Sequence, residues 1–263
     1  MHLGLIGYGN ITRALLDVLA REGKMPPRLT LLVRPGQAET ARRIGVEVVT
    51  DAAALIAACP DLLVECAGHS AVAGTVVPAL RAGIECVIVS IGALADAALH
   101  DGVIAAARAG QTRIVLPAGA IGGIDLLAAL RPSGISRVVY SSRKPPLAWR
   151  GTPAEALLDL PGLTAPAVCF SGTAREAALA YPKNANVAAT LALAGLGFEA
   201  TEVQMIADPD ISQNIHEYRV TAGAADYTIR IEGKPSPDNP KTSLATVYSV
   251  AREVMNRMCE VAI

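Results

Sequence analysis

Residues 1–20 read MHLGLIGYGNITRALLDVLA, and the shape this stretch takes decides the architecture of the chain. An apolar run, Leu3–Ile6, comes first. Gly7-Tyr8-Gly9-Asn10-Ile11-Thr12 follows, and then apolar residues recur at helical spacing. A strand, a tight turn and a helix are the setting of the dinucleotide fingerprint Gly-x-Gly-x-x-Gly. The first glycine of that fingerprint permits the turn. The second lets backbone approach a pyrophosphate, which rests on the helix N-terminus, and the third serves helix–strand packing. Thr12 stands where the third glycine belongs, so the departure crowds packing more than phosphates. A merely structural turn is the alternative. The flanking strand and helix favour a cofactor turn, with Gly7, Gly9, Asn10 and Ile11 as cofactor-binding candidates.

Strand-like and helix-like runs alternate onward from this turn. Strands are expected at His2–Ile6, Leu29–Val33, Val46–Val49, Leu62–Glu65, Cys86–Ser90 and Arg113–Leu116. Helices are expected at Ile11–Glu22, Ala38–Ile44, Ala52–Ala58, Ala71–Ala82 and Asp96–Ala109, with Asp51 and Ser70 as N-caps. The strands are continuous apolar runs, as in a parallel sheet covered on both faces. The expected fold is therefore α/β, a doubly wound, mostly parallel Rossmann-type sheet. Past Pro117 the pattern becomes α+β and marks a second, smaller domain. Strands are expected at Ile135–Ser142, Val168–Ser171, Glu199–Ala207, Ile215–Thr221 and Tyr227–Glu232, the last two paired as a hairpin around Gly223-Ala224-Ala225. Asn186–Leu196 and Ser243–Met258 read as helices, and Lys234–Pro240 as a linker. The expected division is 1–119 plus 241–263 for dinucleotide binding and 120–240 for catalysis, substrate and dimer contacts.

Composition narrows the function. The 263 residues carry a formal net charge of -1 and only 3% aromatics, which argues against nucleic acid and anionic membranes as partners. Apolar residues make up 52%, yet no run reaches the ~18 residues of a membrane span. A basic leader is not apparent. Five scattered cysteines without C-x-x-C spacing suggest reduced thiols and a cytoplasmic location. The four histidines lack ligand spacing, so no metal is expected.

The end of the second strand discriminates between NAD and NADP, because an acid there grips the ribose 2′-hydroxyl of NAD. The sequence has Val33-Arg34-Pro35-Gly36 and no acid. Arg34 suits a 2′-phosphate, so NADP is accepted, with or without NAD; a solvated strand-end charge is the alternative. Two further βα loops, Cys66-Ala67-Gly68-His69-Ser70 and Ser90-Ile91-Gly92-Ala93-Leu94, leave the carboxyl edge of the sheet where ligands of such folds bind. Their small residues make Ala67, Gly68, Ser90 and Gly92 cofactor-binding candidates, although ordinary turns look the same. His69 reads as a polar loop residue.

Gly7–Thr12, Ser90–Leu94, Pro117–Asp125, Tyr181-Pro182-Lys183-Asn184-Ala185-Asn186-Val187-Ala188 and Asn214-Ile215-His216-Glu217 occur in that order. Together they resemble the L-aspartate dehydrogenases over nearly the whole chain, and the second half is the specific part. The resemblance implies NAD(P)-dependent oxidation of L-aspartate to iminoaspartate, then oxaloacetate and ammonia, with a role in supplying iminoaspartate for NAD synthesis. It implies cofactor contacts from Ala120 and Asn186 and catalysis by His216. It also implies a final helix that packs back on the nucleotide domain. Thr12 departs from the family pattern.

Such chemistry needs a hydride aimed at the nicotinamide, a deprotonated amine and water added to the imine. A histidine suits the proton work. Period two places His216 with Tyr218 and Val220, and Asn214 on the same face as a substrate-binding candidate. On pattern alone His216 is equally a half-buried strand histidine. Two substrate carboxylates call for cations, and Lys183 is one candidate, Lys241 another. Asn184 and Asn186 either cap a helix or serve the site. An apolar-rich sheet in the second domain suggests a homodimer. The rival functions are a homoserine dehydrogenase-like or dihydrodipicolinate reductase-like enzyme, and a non-catalytic NADP(H)-sensing module.

Overall fold

The computed structural model describes residues 1–182, 184–236 and 239–262, with the backbone alone at 235, 236 and 239–242. It divides into two compact units, 1–117 with 246–263, and 118–245. No helix among the described residues is long and apolar enough to cross a membrane.

In the first unit the elements run β1 (His2–Ile6), α1 (Asn10–Arg21), β2 (Arg28–Leu32), α2 (Ala38–Arg42), β3 (Glu47–Val49), α3 (Ala52–Ala57) and β4 (Leu62–Glu65). They continue through α4 (His69–Ala71), α5 (Val77–Arg81), β5 (Glu85–Ile88), α6 (Ala97–Ala109) and β6 (Ile114–Val115). The six strands lie in the order β3-β2-β1-β4-β5-β6, all parallel. The order reverses between β1 and β4, which opens the crevice where such sheets bind ligands. Leu3, Leu5, Leu31, Leu62, Leu63, Val64 and Val87 are all fully buried, which is why these strands carry no polar alternation.

Asp51 and Asp96 cap α3 and α6, accepting hydrogen bonds from Ala54 N and Leu99 N at 2.8 and 2.9 Å. Ser70 does not cap its helix. Gly68, at φ +109°, takes that position, and the helix starts at His69. The expected single helix Ala71–Ala82 is also interrupted, because Val72–Val76 form a π-helical stretch between α4 and α5.

The second unit contains α7 (Ile124–Leu130), β7 (Ile135–Lys144), α8 (Ala154–Leu157), β8 (Ala167–Thr173), α9 (Ala174–Ala180) and α10 (Asn186–Ala194). It continues with β9 (Thr201–Ala207), β10 (Asn214–Ala222), β11 (Tyr227–Gly233), β12 (Pro235–Ser236) and β13 (Asn239–Ser243). A five-stranded mixed sheet has the order β11-β10-β7-β9-β8, with only β7–β9 parallel. The expected linker 234–240 instead carries part of a small hairpin, β12 with β13. The last helix, α11 (Leu244–Met255), buries Val247, Val250, Ala251 and Val254 in the core of the first unit, beside Leu3, Leu5 and Leu31.

Alternation settles which side chains of the mixed sheet go inward. Val138, Tyr140, Ser142 and Lys144 of β7 are buried, as are His216, Tyr218 and Val220 of β10 and Val203, Met205 and Ala207 of β9. The opposite face carries ion pairs, Arg137 with Glu202 at 2.8 Å and Arg230 with Glu217 at 3.5 Å. The apolar richness read from this sheet therefore belongs to its inward face, and its open face is charged.

Candidate active site

Two groups of residues are built for chemistry, one in each unit. In the first unit a cleft of about 550 Å³ is lined by Gly7, Tyr8, Gly9, Val33, Arg34, Gln37, Cys66, Ala67, Ser70 and Thr75, among others. Gly7 sits at φ +91°, and a Cβ on it would lie 2.9 Å from Ala67 Cβ, so only glycine fits. At Gly9 a Cβ would meet nothing within 4 Å. A side chain there would project into open space rather than into protein. No side chain caps α1, the arrangement in which a phosphate takes the capping place. Thr12 is fully buried and donates its hydroxyl to the Gly7 carbonyl at 2.7 Å. It therefore ties the first turn of α1 back to the loop, a bond that a glycine cannot make.

The other two loops of this cleft converge on a residue that sequence reading passed over as the end of a strand. Glu65 ends β4 and is 0% exposed. One oxygen accepts from Ala67 N at 2.7 Å, Gly68 N at 2.8 Å and Ser90 Oγ at 3.0 Å; the other accepts from Ser90 N at 2.9 Å. A buried carboxylate is tolerated only with such donors. The same bonds fix the loops 66–70 and 90–94 against each other. His69, half-buried at the start of α4, is held below the usual imidazole range by desolvation, which outweighs the Glu65 charge. No carboxylate lines the cleft at the end of β2, where exposed Arg34 stands. The glycine cradle, the uncapped helix and Arg34 suit the pyrophosphate and adenosine half of a nicotinamide dinucleotide.

In the second unit His216 is 4% exposed in the middle of the mixed sheet. Its Nδ1 lies 2.7 Å from the Tyr140 hydroxyl, a hydrogen bond whose direction follows the imidazole tautomer, and the two rings are nearly parallel. Desolvation first, and the nearby Lys144 charge second, push its pKa down to about 3. The imidazole is therefore neutral near neutral pH. With the proton on Nδ1 and shared with Tyr140, Nε2 keeps its lone pair for a substrate or water.

Lys144 at the end of β7 is the second residue missed. It is 7% exposed, donates to Asn184 Oδ1 at 2.7 Å and lies over the Trp149 ring. Burial lowers its pKa to about 8. The signal was the period-two register, which puts Lys144 on the inward face with Tyr140 and Ser142. A lone terminal lysine ordinarily reads as solvated.

The structure brings together Gly7, Gly9 and Ala67 along the cleft, with Arg34 at its edge. Asn10 and Ile11 begin α1, Gly68 precedes α4, and Ser90 and Gly92 lie on the loop after β5. Ala120 is buried in the second unit, on a loop whose Gly122 carbonyl accepts the Tyr218 hydroxyl at 2.9 Å. Asn186 opens α10, whose N-cap is Ala185 without a side-chain cap bond. Neither Asn184 nor Asn186 is thus the helix cap. Asn214 is half-buried at the start of the strand bearing His216. Lys183 lies outside the described residues, as does the side chain of Lys241. No cluster of potential metal ligands occurs among the described residues.

Residues 125–257 match the family model described as aspartate dehydrogenase, C-terminal, and residues 7–117 match the NAD-binding domain of homoserine dehydrogenase. An L-aspartate dehydrogenase of Polaromonas sp. is 45% identical, covering 98% of this chain and 97% of its own. One of Cupriavidus necator is 44% identical over all of both chains. The crystal structure of aspartate dehydrogenase from Thermotoga maritima superposes with a TM-score of 0.79 at 26% identity, covering 100% and 99%.

Two outcomes follow from the geometry. Glu65→Gln turns one acceptor into a donor facing an amide. It should lower stability by about 1.5–3 kcal/mol and weaken NAD(P)H binding, measured by urea unfolding and by nicotinamide fluorescence. His216 is neutral in the folded chain down to about pH 3, so the unfolded chain takes up its proton first. Stability is complete above about pH 6.5 and should fall by about 1.4 kcal/mol per unit below it. Subtracting the urea unfolding free energies of His216→Gln, pH by pH, should isolate that slope.

Proposed function

The chain belongs to the L-aspartate dehydrogenase family, and we propose that it catalyses NAD(P)-dependent oxidative deamination of L-aspartate. The full-length likeness to L-aspartate dehydrogenases carries this reading. L-Aspartate, NAD(P)⁺ and water give oxaloacetate, ammonium, NAD(P)H and a proton. A bound nicotinamide would supply the acceptor for the hydride that leaves Cα. Gly7, Gly9, Asn10 and Ile11 hold the pyrophosphate, while Ala67, Gly68, Ser90 and Gly92 present backbone to the ribose and nicotinamide. Ala120 and Asn186 are further cofactor contacts in this reading. Lys183 remains a candidate for the substrate.

His216 is the proton-transfer group in this reading. A pKa near 3 makes the imidazole a weak base by itself. Two substrate carboxylates beside it favour its cationic form and raise that value toward the working range. It then takes a proton from the water that attacks the imine carbon, and returns it as ammonia leaves. Tyr140 holds the ring by Nδ1, and Asn214, two residues earlier on the same strand, helps orient the substrate. Iminoaspartate released before hydrolysis would supply NAD biosynthesis. The reading extends to a cytoplasmic homodimer, supported by the free cysteines and by a charged open sheet face able to pair with a second copy.

Purified protein supplied with L-aspartate and each cofactor in turn should reduce the nicotinamide, while L-homoserine should not be oxidised. Absence of any reduction would sink the reading. His216→Ala should lower kcat by about 10²–10⁴-fold with the Kd for NAD(P)H unchanged. Arg34→Ala should reduce kcat/KM with NADP by about ten- to a hundredfold and leave that with NAD intact, measured by steady-state kinetics.

A further inference from the structure

We propose that Lys144 and Ser142 form the site that holds a carboxylate of the substrate, with Asn184 aiming the ammonium. The inference rests on the reading of this chain as a dehydrogenase of a dicarboxylic amino acid. Lys144 is almost fully buried, and among the described residues no carboxylate pairs with it. Its neighbours are the neutral amide oxygen of Asn184 and the face of Trp149. A buried ammonium with only neutral partners is costly to the empty protein, and an incoming anion removes that cost.

A second observation points to the same place. Ser142 is fully buried, and its hydroxyl lies beside the Tyr140 hydroxyl that also holds His216. It precedes Lys144 by two residues on β7, so both side chains share the inward face. In the β7–β10 register Ser142 stands directly opposite His216. A buried hydroxyl, a cation with no carboxylate partner among the described residues and a neutral imidazole therefore adjoin on one patch of sheet. A carboxylate oxygen can accept from the first two at once.

The surroundings are built to keep the ammonium there. Trp149 is fully buried and donates its indole N–H to the Ile206 carbonyl at 3.1 Å. Tyr181 packs edge-on against Trp149 and donates its hydroxyl to the Cys169 carbonyl. The Asn184 amide bonds the Tyr181 carbonyl at 2.8 Å, which delivers the Asn184 side chain to Lys144. The segment beginning Tyr181-Pro182 thus serves as a bracket for this lysine.

The test uses the full-length enzyme and two probes, L-aspartate in turnover and succinate, a dicarboxylate without an amine, in calorimetry with NAD(P)H bound. Lys144→Met should raise the KM for L-aspartate and the Kd for succinate by about ten- to a hundredfold, with the Kd for NAD(P)H unchanged. Lys144→Arg should recover part of the loss. Ser142→Ala, which removes one buried hydroxyl, should raise both constants by about two- to tenfold. Unchanged KM and succinate binding in folded Lys144→Met would overturn the proposal. So would a fall in kcat alone, which would make Lys144 a proton carrier. Should Lys144→Met fail to fold, Ser142→Ala decides by the same two constants. Wild type that binds succinate through Lys144 yet leaves L-aspartate unoxidised would sink the assigned activity and spare the anion site.

Discussion

A carboxylate placed where water cannot reach must find all its donors in the chain, and Glu65 imposes that demand at the centre of the nucleotide unit. Four hydrogen bonds reach it from two loops. Each loop alone is a short run of small residues with little to hold its shape. Joined through one anion, they become a floor beside the glycine turn of β1. The choice of glutamate rather than an apolar strand end is thus a constraint on loops, not on the sheet, which already has Leu62, Leu63 and Val64 for its core. Thr12 works on the third loop in the same way, since its hydroxyl closes the Gly7 turn that a glycine would leave to packing alone. The departure from the fingerprint exchanges close packing for a hydrogen bond.

The second unit applies the opposite device. There the buried groups are left short of partners rather than saturated. His216 has a tyrosine, Lys144 an amide and an indole face, and Ser142 the same tyrosine that holds His216. Burial pushes both basic groups toward their neutral forms, and each charge disfavours the other. Such a patch stores electrostatic demand that an anion meets. On the proposed reading, a dianionic substrate would keep Lys144 protonated and raise the basicity of His216, so that binding and activation of the base would be one electrostatic event.

Much of the fold was legible because burial on both faces writes itself into a sequence. The six parallel strands were readable as apolar runs separated by helical spacing, and their order follows from the doubly wound rule. Asp51 was readable as a cap because a short acceptor before an apolar run has a local role. Ser70 has the same local look, but Gly68 can adopt a positive φ and starts the helix earlier. The helices α7 and α9 were not legible because runs of seven residues carry no decisive period. The hairpin β12–β13 hid behind prolines that ordinarily mark a linker.

Gly7, Gly9 and His216 were readable as candidates because the chemistry proposed for them depends on backbone shape or on a motif; the structure places the glycines on the cleft and His216 on the inward face of its sheet. The site was not legible where a charged residue owes its role to register. Glu65 and Lys144 each end a strand, and a charge at a strand end usually belongs to solvent. Only the pairing of Ser142 with His216 across β7 and β10 shows that residue 144 faces inward. A one-residue slip of β7 would move Tyr140, Ser142 and Lys144 together to the charged open face and bring Val139, Ser141 and Arg143 inward. The hydrophobic burial of Val138 and Tyr140 therefore does more than stabilise the sheet. It sets the register that decides which cation, lysine or arginine, stands beside the imidazole.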